Sequence, residues 1–326
     1  MSPLASLFER GNEVLNINNA DGADFHITTH GSDWLWSVFS IFALVTLLVL
    51  GFSFTKPKNQ RTFLHVIALG LIALSYQYFT LASNLGWAPV HAEFNHVTTS
   101  DQSKTPGMRQ IFYARWVSYF VAFPTFFLSF AVLVGETWSN TIAIIICEEL
   151  TVVSLLIGTL IHSTYKWGYY TFGLAGFFLV VYYLVFSYRV AAQSQDKSVA
   201  THSFAIIGGA IVLLMLYPIA WALSEGGNVI QPDSEAVFYG ILDIVFFILI
   251  GTFYQIFVSR SIDFVGEGVS GFDYRVFTSH GPRSVPAVAY PSTKEEELPT
   301  PPAQSRPSEA TAHTAEPTSA DVEQQV

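Results

Sequence analysis

Four ionisable residues lie deep inside long apolar stretches of this sequence: Arg115, Glu148, Glu149 and Asp243. A charge in the hydrocarbon core of a membrane is costly, so such groups mark proton or ion pathways or pair with one another. Counted from the sequence-based boundaries, Arg115 lies about five residues into the third stretch and Asp243 about seven into the seventh, from the same outer end. Similar depth predicts an ion pair, which lowers the desolvation cost of each group. That pair reads either as the lining of a polar pathway or as a structural clasp between two helices. Glu148 and Glu149 fall in the middle of the fourth stretch, about 100° apart around a helix axis, so they face different neighbours. They read as proton-exchanging groups, or as one protonated glutamate hydrogen-bonded across helices with the other beside a cavity or interface.

Other chemistry is hard to find. The chain has no Walker loop, GxGxxG, HExxH or GxSxG, and no nucleophile–base spacing, so no enzyme is expected. His65 and His162 have no partner at ligand spacing, and the single cysteine, Cys147, excludes an intramolecular disulfide and a cysteine zinc site. No metal site is expected.

The elements that carry the four charges are set by composition. Of 326 residues, 51% are hydrophobic and only 12% charged, with a mean hydropathy of +0.41. Soluble domains carry about 25% charged residues, so the chain reads as a membrane protein embedded in a lipid bilayer. A net charge of −10 argues against nucleic acid as a partner. Seven apolar segments, each near the ~20 residues that cross a bilayer, fall at about 33–54, 63–85, 110–134, 139–161, 169–190, 203–223 and 236–258. Runs such as Ile142 to Ile146 do not alternate, so the spans are helices rather than barrel strands. The fold class is thus an all-α, seven-transmembrane-helix bundle over residues 33–262.

The first 30 residues are polar and hold no signal-peptide core, so the first span is expected to act as its own insertion signal. Lys56, Lys58, Arg61, Arg189, Lys197 and Arg260 gather on one side, and Arg10, Lys104, Arg109 and Lys166 on the other. The bias puts residues 1–32 outside and 263–326 in the cytoplasm. Eight of the fifteen prolines fall after residue 275, among Ser, Thr, Glu and Gln, which reads as a disordered tail from about 276. Its Leu298–Pro302 run, LPTPP, suits a polyproline ligand or a phosphorylation target.

Five short blocks carry a family resemblance. Tyr113-Ala114-Arg115-Trp116 with Pro124 resembles the third helix of microbial rhodopsins, and Leu216-Tyr217-Pro218-Ile219-Ala220-Trp221 their sixth. Ser224-Glu225-Gly226 resembles the loop that follows, Tyr239-Gly240-Ile241-Leu242-Asp243 the start of the seventh helix, and Tyr165-Lys166-Trp167-Gly168-Tyr169 the fourth-to-fifth junction of fungal members. The blocks stand in the family's order over about residues 30–262. The resemblance implies the microbial-rhodopsin bundle, in which members often form trimers, so a homo-oligomer is a further expectation.

The departures bear on function. Light-active members carry, one turn after the aspartate, a lysine that binds retinal as a Schiff base; here that position is Phe247, and none of the six lysines lies in the seventh span. Covalent retinal is therefore expected to be absent, and no other cofactor is implied. The proton-accepting carboxylate three residues after the arginine is Ser118, and the proton donor eleven further on is Ser129. One pocket tryptophan is replaced by Tyr119 and another by Leu214, whereas Tyr217 and Trp221 match the family; Tyr78 reads as a further pocket residue, and Glu148 lies near a position often held by aspartate. Lysine and one carboxylate are lost together, which keeps the remnant site of Arg115, Ser118 and Asp243 neutral.

This combination resembles the fungal opsin-related proteins, including the thirty-kilodalton heat-shock group. The resemblance implies a non-photochemical, stress-linked plasma-membrane protein, chaperone-like or regulatory, with the plasma-membrane proton ATPase or another membrane protein as partner. Two alternatives stay open. One is a passive ion or proton channel or transporter whose outer polar path runs through Arg115, Asp243, Glu225 and Glu235. The other is a sensor that holds retinal or another apolar ligand noncovalently among Tyr78, Tyr119, Tyr217 and Trp221.

Overall fold

A computed structural model describes residues 12–94, 96, 107–260, 262–265 and 275–278, all within the first of two units, Met1–Arg283. After a short turn, α1 (Val14–Ile17), seven long helices follow: α2 (Thr29–Phe54), α3 (Lys58–Ala82), α4 (Tyr113–Val134), α5 (Trp138–Leu160), α6 (Lys166–Gln193), α7 (Lys197–Gly226) and α8 (Pro232–Ser259). Each is long and apolar enough to cross a membrane. In lipid the backbone must bond to itself, which is why apolar runs of this length are helical. α2 packs on α3, α3 on α4, α4 on α5 and α5 on α6, while α8 closes the bundle against α2, α3, α4 and α7.

Local chemistry sets the ends. Thr28 caps α2 by accepting from the His30 N–H, and its own N–H and hydroxyl donate to Asp233 in the first turn of α8. Thr137 caps α5. Pro232 opens α8, where a missing N–H is harmless. Gly135 ends α4 at φ 72°, a left-handed conformation that glycine adopts without penalty. Gly176 on α6 is needed for closeness: a Cβ there would lie 2.5 Å from Thr151 Oγ1 and 2.8 Å from the Cys147 carbonyl on α5.

Between α3 and α4, β1 (Ala88–His91) pairs antiparallel with β2 (Met108–Ile111), and Phe25 bridges to Arg109. This strand pair holds the chain that enters α4. From Ile244 to Tyr254 the turns of α8 widen to i→i−5 bonding. Within this stretch three consecutive side chains, Phe246, Phe247 and Ile248, are buried.

The bundle is apolar outside and carries its charge inside. Leu47, Phe186 and Val212 are more than half exposed, whereas Arg115, Gln77 and Asp243 are buried. That arrangement suits a multi-pass membrane protein.

Two expectations need correction. The helices α4 and α8 begin at Tyr113 and Pro232 rather than near 110 and 236, which changes the depth of Arg115 and Asp243. The tail, expected to be disordered from about 276, is paired as far as Thr278: Ile262–Val265 (β3) pairs antiparallel with Arg275–Thr278 (β4). The aromatic and β-branched content of both segments favours strand. The remaining expectations for the tail, LPTPP included, fall outside the described residues.

Candidate functional site

The buried charges form two layers. In the first layer, at the end of the bundle where α4 and α8 begin, β2 brings Arg109, the first turn of α4 Arg115, the end of α7 Glu225 and the first turn of α8 Glu235. Glu235 divides its oxygens, Oε2 to Arg109 Nη2 and Oε1 to Arg115 Nη1, each at 2.6 Å. Arg115 Nη1 also reaches Glu225 Oε1 at 3.1 Å. No side chain of the four is more than 3% exposed. Ser224 and Tyr239 donate to Glu225 Oε2, and Arg109 donates to Asn228 Oδ1 and the Ile230 carbonyl. The Arg115 guanidinium lies 3.9 Å from the centre of the Tyr239 ring, a cation–π contact. Two cations against two carboxylates offset one another, and buried Lys166 adds a third cation beside them, its Nζ donating to the Glu225 carbonyl at 3.4 Å.

The inner layer centres on Asp243. Its carboxyl accepts from Tyr78 Oη at 2.6 Å, Tyr217 Oη at 2.7 Å and Tyr119 Oη at 2.9 Å to each oxygen, with Gln77 Nε2 at 3.3 Å. Helices α3, α4, α7 and α8 thus converge on one carboxyl. Among the described residues no ion pair reaches it.

The expected Arg115–Asp243 pair is therefore replaced. Arg115 is the third residue of α4, whereas Asp243 is the twelfth of α8 and lies eight residues inward of Glu235, about 12 Å along the axis. Arg115 meets the acids at its own level. Glu225 and Glu235, expected along an outer polar path with Arg115 and Asp243, are instead closed into a buried ion cluster.

Phe247, one turn beyond Asp243, is 5% exposed and packs on Phe123 and Phe246 with ring centroids 5.0 and 4.8 Å away. Tyr119 packs on Phe123 and Tyr217, and Phe42 stacks on Tyr78 at 5.3 Å. The centre of the bundle is filled by this aromatic cluster. Trp221 donates to the Leu155 carbonyl and stacks on Tyr170. Ser118 is buried between the layers' helices, and Ser129 bonds to the Phe126 carbonyl within α4. Glu148 is 3% exposed and borders a cavity of about 20 Å³ with Trp116, Phe123, Thr151, Leu214 and Tyr217. Glu149 is half-buried, turned away from Glu148.

Sequence reasoning misses Arg109 as a site residue, because it reads as one of the loop charges that set orientation. The signal lies in the balance: an acid at the end of α7 and another in the first turn of α8 demand more than the one cation Arg115. Gln77 was also missed, since nothing marks an uncharged residue in an apolar run beside Tyr78.

Residues 28–260 match the family model described as bacteriorhodopsin-like protein. The chain is 41% identical to Protein MRH1 of Saccharomyces cerevisiae over 256 residues, covering 77% of this chain and 79% of that one. It is 35% identical to the 30 kDa heat shock protein of the same yeast over 314 residues, 90% of this chain and 91% of that one. Among solved structures, the light-driven proton pump rhodopsin of Coccomyxa subellipsoidea superposes with a TM-score of 0.66 at 27% identity, over 71% of this chain and 98% of that one.

Proposed function

The chain belongs to the bacteriorhodopsin-like family, and from that premise we propose that it works without a covalent chromophore. It is a non-photochemical, regulatory or chaperone-like protein of the plasma membrane, linked to stress, rather than a light-driven pump. One observation carries the reading. Where the family resemblance puts the retinal lysine stands Phe247, buried against Phe123 and Phe246.

The surroundings support it. The residues do not fit retinal: a drug-sized ligand fills a cavity of roughly 300 Å³ or more, whereas the void beside Trp116 and Leu214 is about 20 Å³. The polar end is also taken, since Asp243 is engaged by three tyrosines from three helices. The relative named as a 30 kDa heat shock protein supports the link to stress. In this reading the N-terminus is outside, the C-terminus is cytoplasmic, and the action is exerted on another membrane protein, the plasma-membrane proton ATPase being the candidate.

Purified protein mixed with all-trans-retinal is expected to give no shifted visible band, and acid denaturation no trapped adduct. Deletion of the gene is expected to alter proton efflux and growth under heat or acid stress. A stable red-shifted band would refute the first half of the proposal. Unchanged efflux and growth across stresses would refute the second.

A further inference from the structure

The mostly apolar cavity beside Glu148 also has polar groups on its wall. It lies among α4, α5, α6 and α7, with a volume of about 20 Å³. One wall is Glu148, 3% exposed, with no hydrogen bond or ion pair to any described residue. A second is Trp116, 1% exposed, whose indole Nε1 has no partner. A third is Tyr217, whose hydroxyl donates to Asp243 Oδ1 at 2.7 Å and whose oxygen can still accept. A buried N–H without a partner and a buried carboxyl without a partner are each costly. They border one void.

We propose that this cavity is a binding site for a single water molecule. The water accepts from Trp116 Nε1, bonds to the Glu148 carboxyl and donates to Tyr217 Oη. The size fits, because about 10–15 Å³ admits one water and such a water needs two to four polar partners. An apolar occupant of that size would leave Trp116 and Glu148 unsatisfied. The consequence is a hydrogen-bonded chain across the bundle: Asp243 on α8, Tyr217 on α7, the water, and Glu148 on α5. Two buried carboxyls on opposite helices become the ends of one polar thread. The inference is independent of the stress-related role and stands or falls on hydration alone.

Vibrational spectroscopy of the purified full chain tests it. Ultraviolet resonance Raman of Trp116, isolated as wild type minus Trp116→Phe, is expected to show a hydrogen-bonded indole N–H. Infrared difference against Glu148→Gln is expected to show a hydrogen-bonded carboxyl, together with a water O–H band that moves on exchange into H₂¹⁸O. Val152→Leu, which adds a methylene to the cavity wall, is expected to abolish the water band and free the indole N–H. Leu214→Phe fills the same space from α7 and serves if Val152→Leu does not fold. A free indole N–H in the wild type overturns the proposal. So does a hydrogen-bonded pair with no H₂¹⁸O-sensitive band, which would mean direct contact, and so does a water band that survives both filling variants.

Discussion

Replacing Glu235 by glutamine removes the acid that two arginines share. Each carboxylate oxygen holds a different guanidinium at 2.6 Å, and all three side chains are at most 3% exposed. Glutamine keeps the shape and deletes the charge, which leaves Arg109 and Arg115 against Glu225 alone. Breaking a buried pair from one side costs about 3–5 kcal/mol, and Glu235→Gln is expected in that range. Glu225→Gln breaks one longer ion pair, at 3.1 Å, and is expected to cost about 1.5–3 kcal/mol. Adding Arg109→Gln to Glu235→Gln restores neutrality, since one arginine then faces one glutamate. The double variant is expected to be about 2 kcal/mol more stable than the sum of the single effects. Denaturant unfolding of the full chain in detergent, followed by helicity, reads all four corners of the cycle. A parallel cycle on Arg115→Gln and Asp243→Asn is expected to couple by under about 1 kcal/mol, because their partners differ. Additivity in the first cycle, or stronger coupling in the second, would refute the two-layer arrangement.

Three further outcomes follow from the geometry. Tyr217→Phe removes a 2.7 Å hydrogen bond to Asp243 and is expected to lower unfolding stability by about 1.5–3 kcal/mol. Phe247→Ala opens a void in the aromatic cluster and is expected to cost about 3–5 kcal/mol in the same assay; a loss under 1 kcal/mol would mean that Phe247 is not packed as described. Gly176→Val forces a side chain into the contact between α5 and α6 and is expected to destabilise by about 1–3 kcal/mol or more, with wild-type stability arguing against that close approach.

The seven spans were legible because nothing but a helix satisfies a backbone in lipid, and the departure at Phe247 was legible because it rests on residue identity alone. Pairing was not. Arg115 and Asp243 were assigned to each other on estimated depth, and the estimates erred by three residues at α4 and four at α8, in opposite senses. Those errors amount to about 10 Å of relative depth at 1.5 Å per residue, enough to exchange one partner for another. Arg109 eluded the reading for a different reason. It reaches the cluster only because β2 pairs with β1 and Phe25, a tertiary arrangement that no local pattern announces. The tyrosines were legible as wall residues from the resemblance, but not as donors converging on one carboxyl from three helices.

The sharing of Glu235 has a mechanical side. Arg109 belongs to β2, Arg115 to α4, and the acid that holds both lies in the first turn of α8. A pull on β2 is therefore not absorbed locally. It is transmitted through the Arg109–Glu235 ion pair to the first turn of the helix that carries Asp243. A force applied to β2 thus has a lever on the helix that carries Asp243.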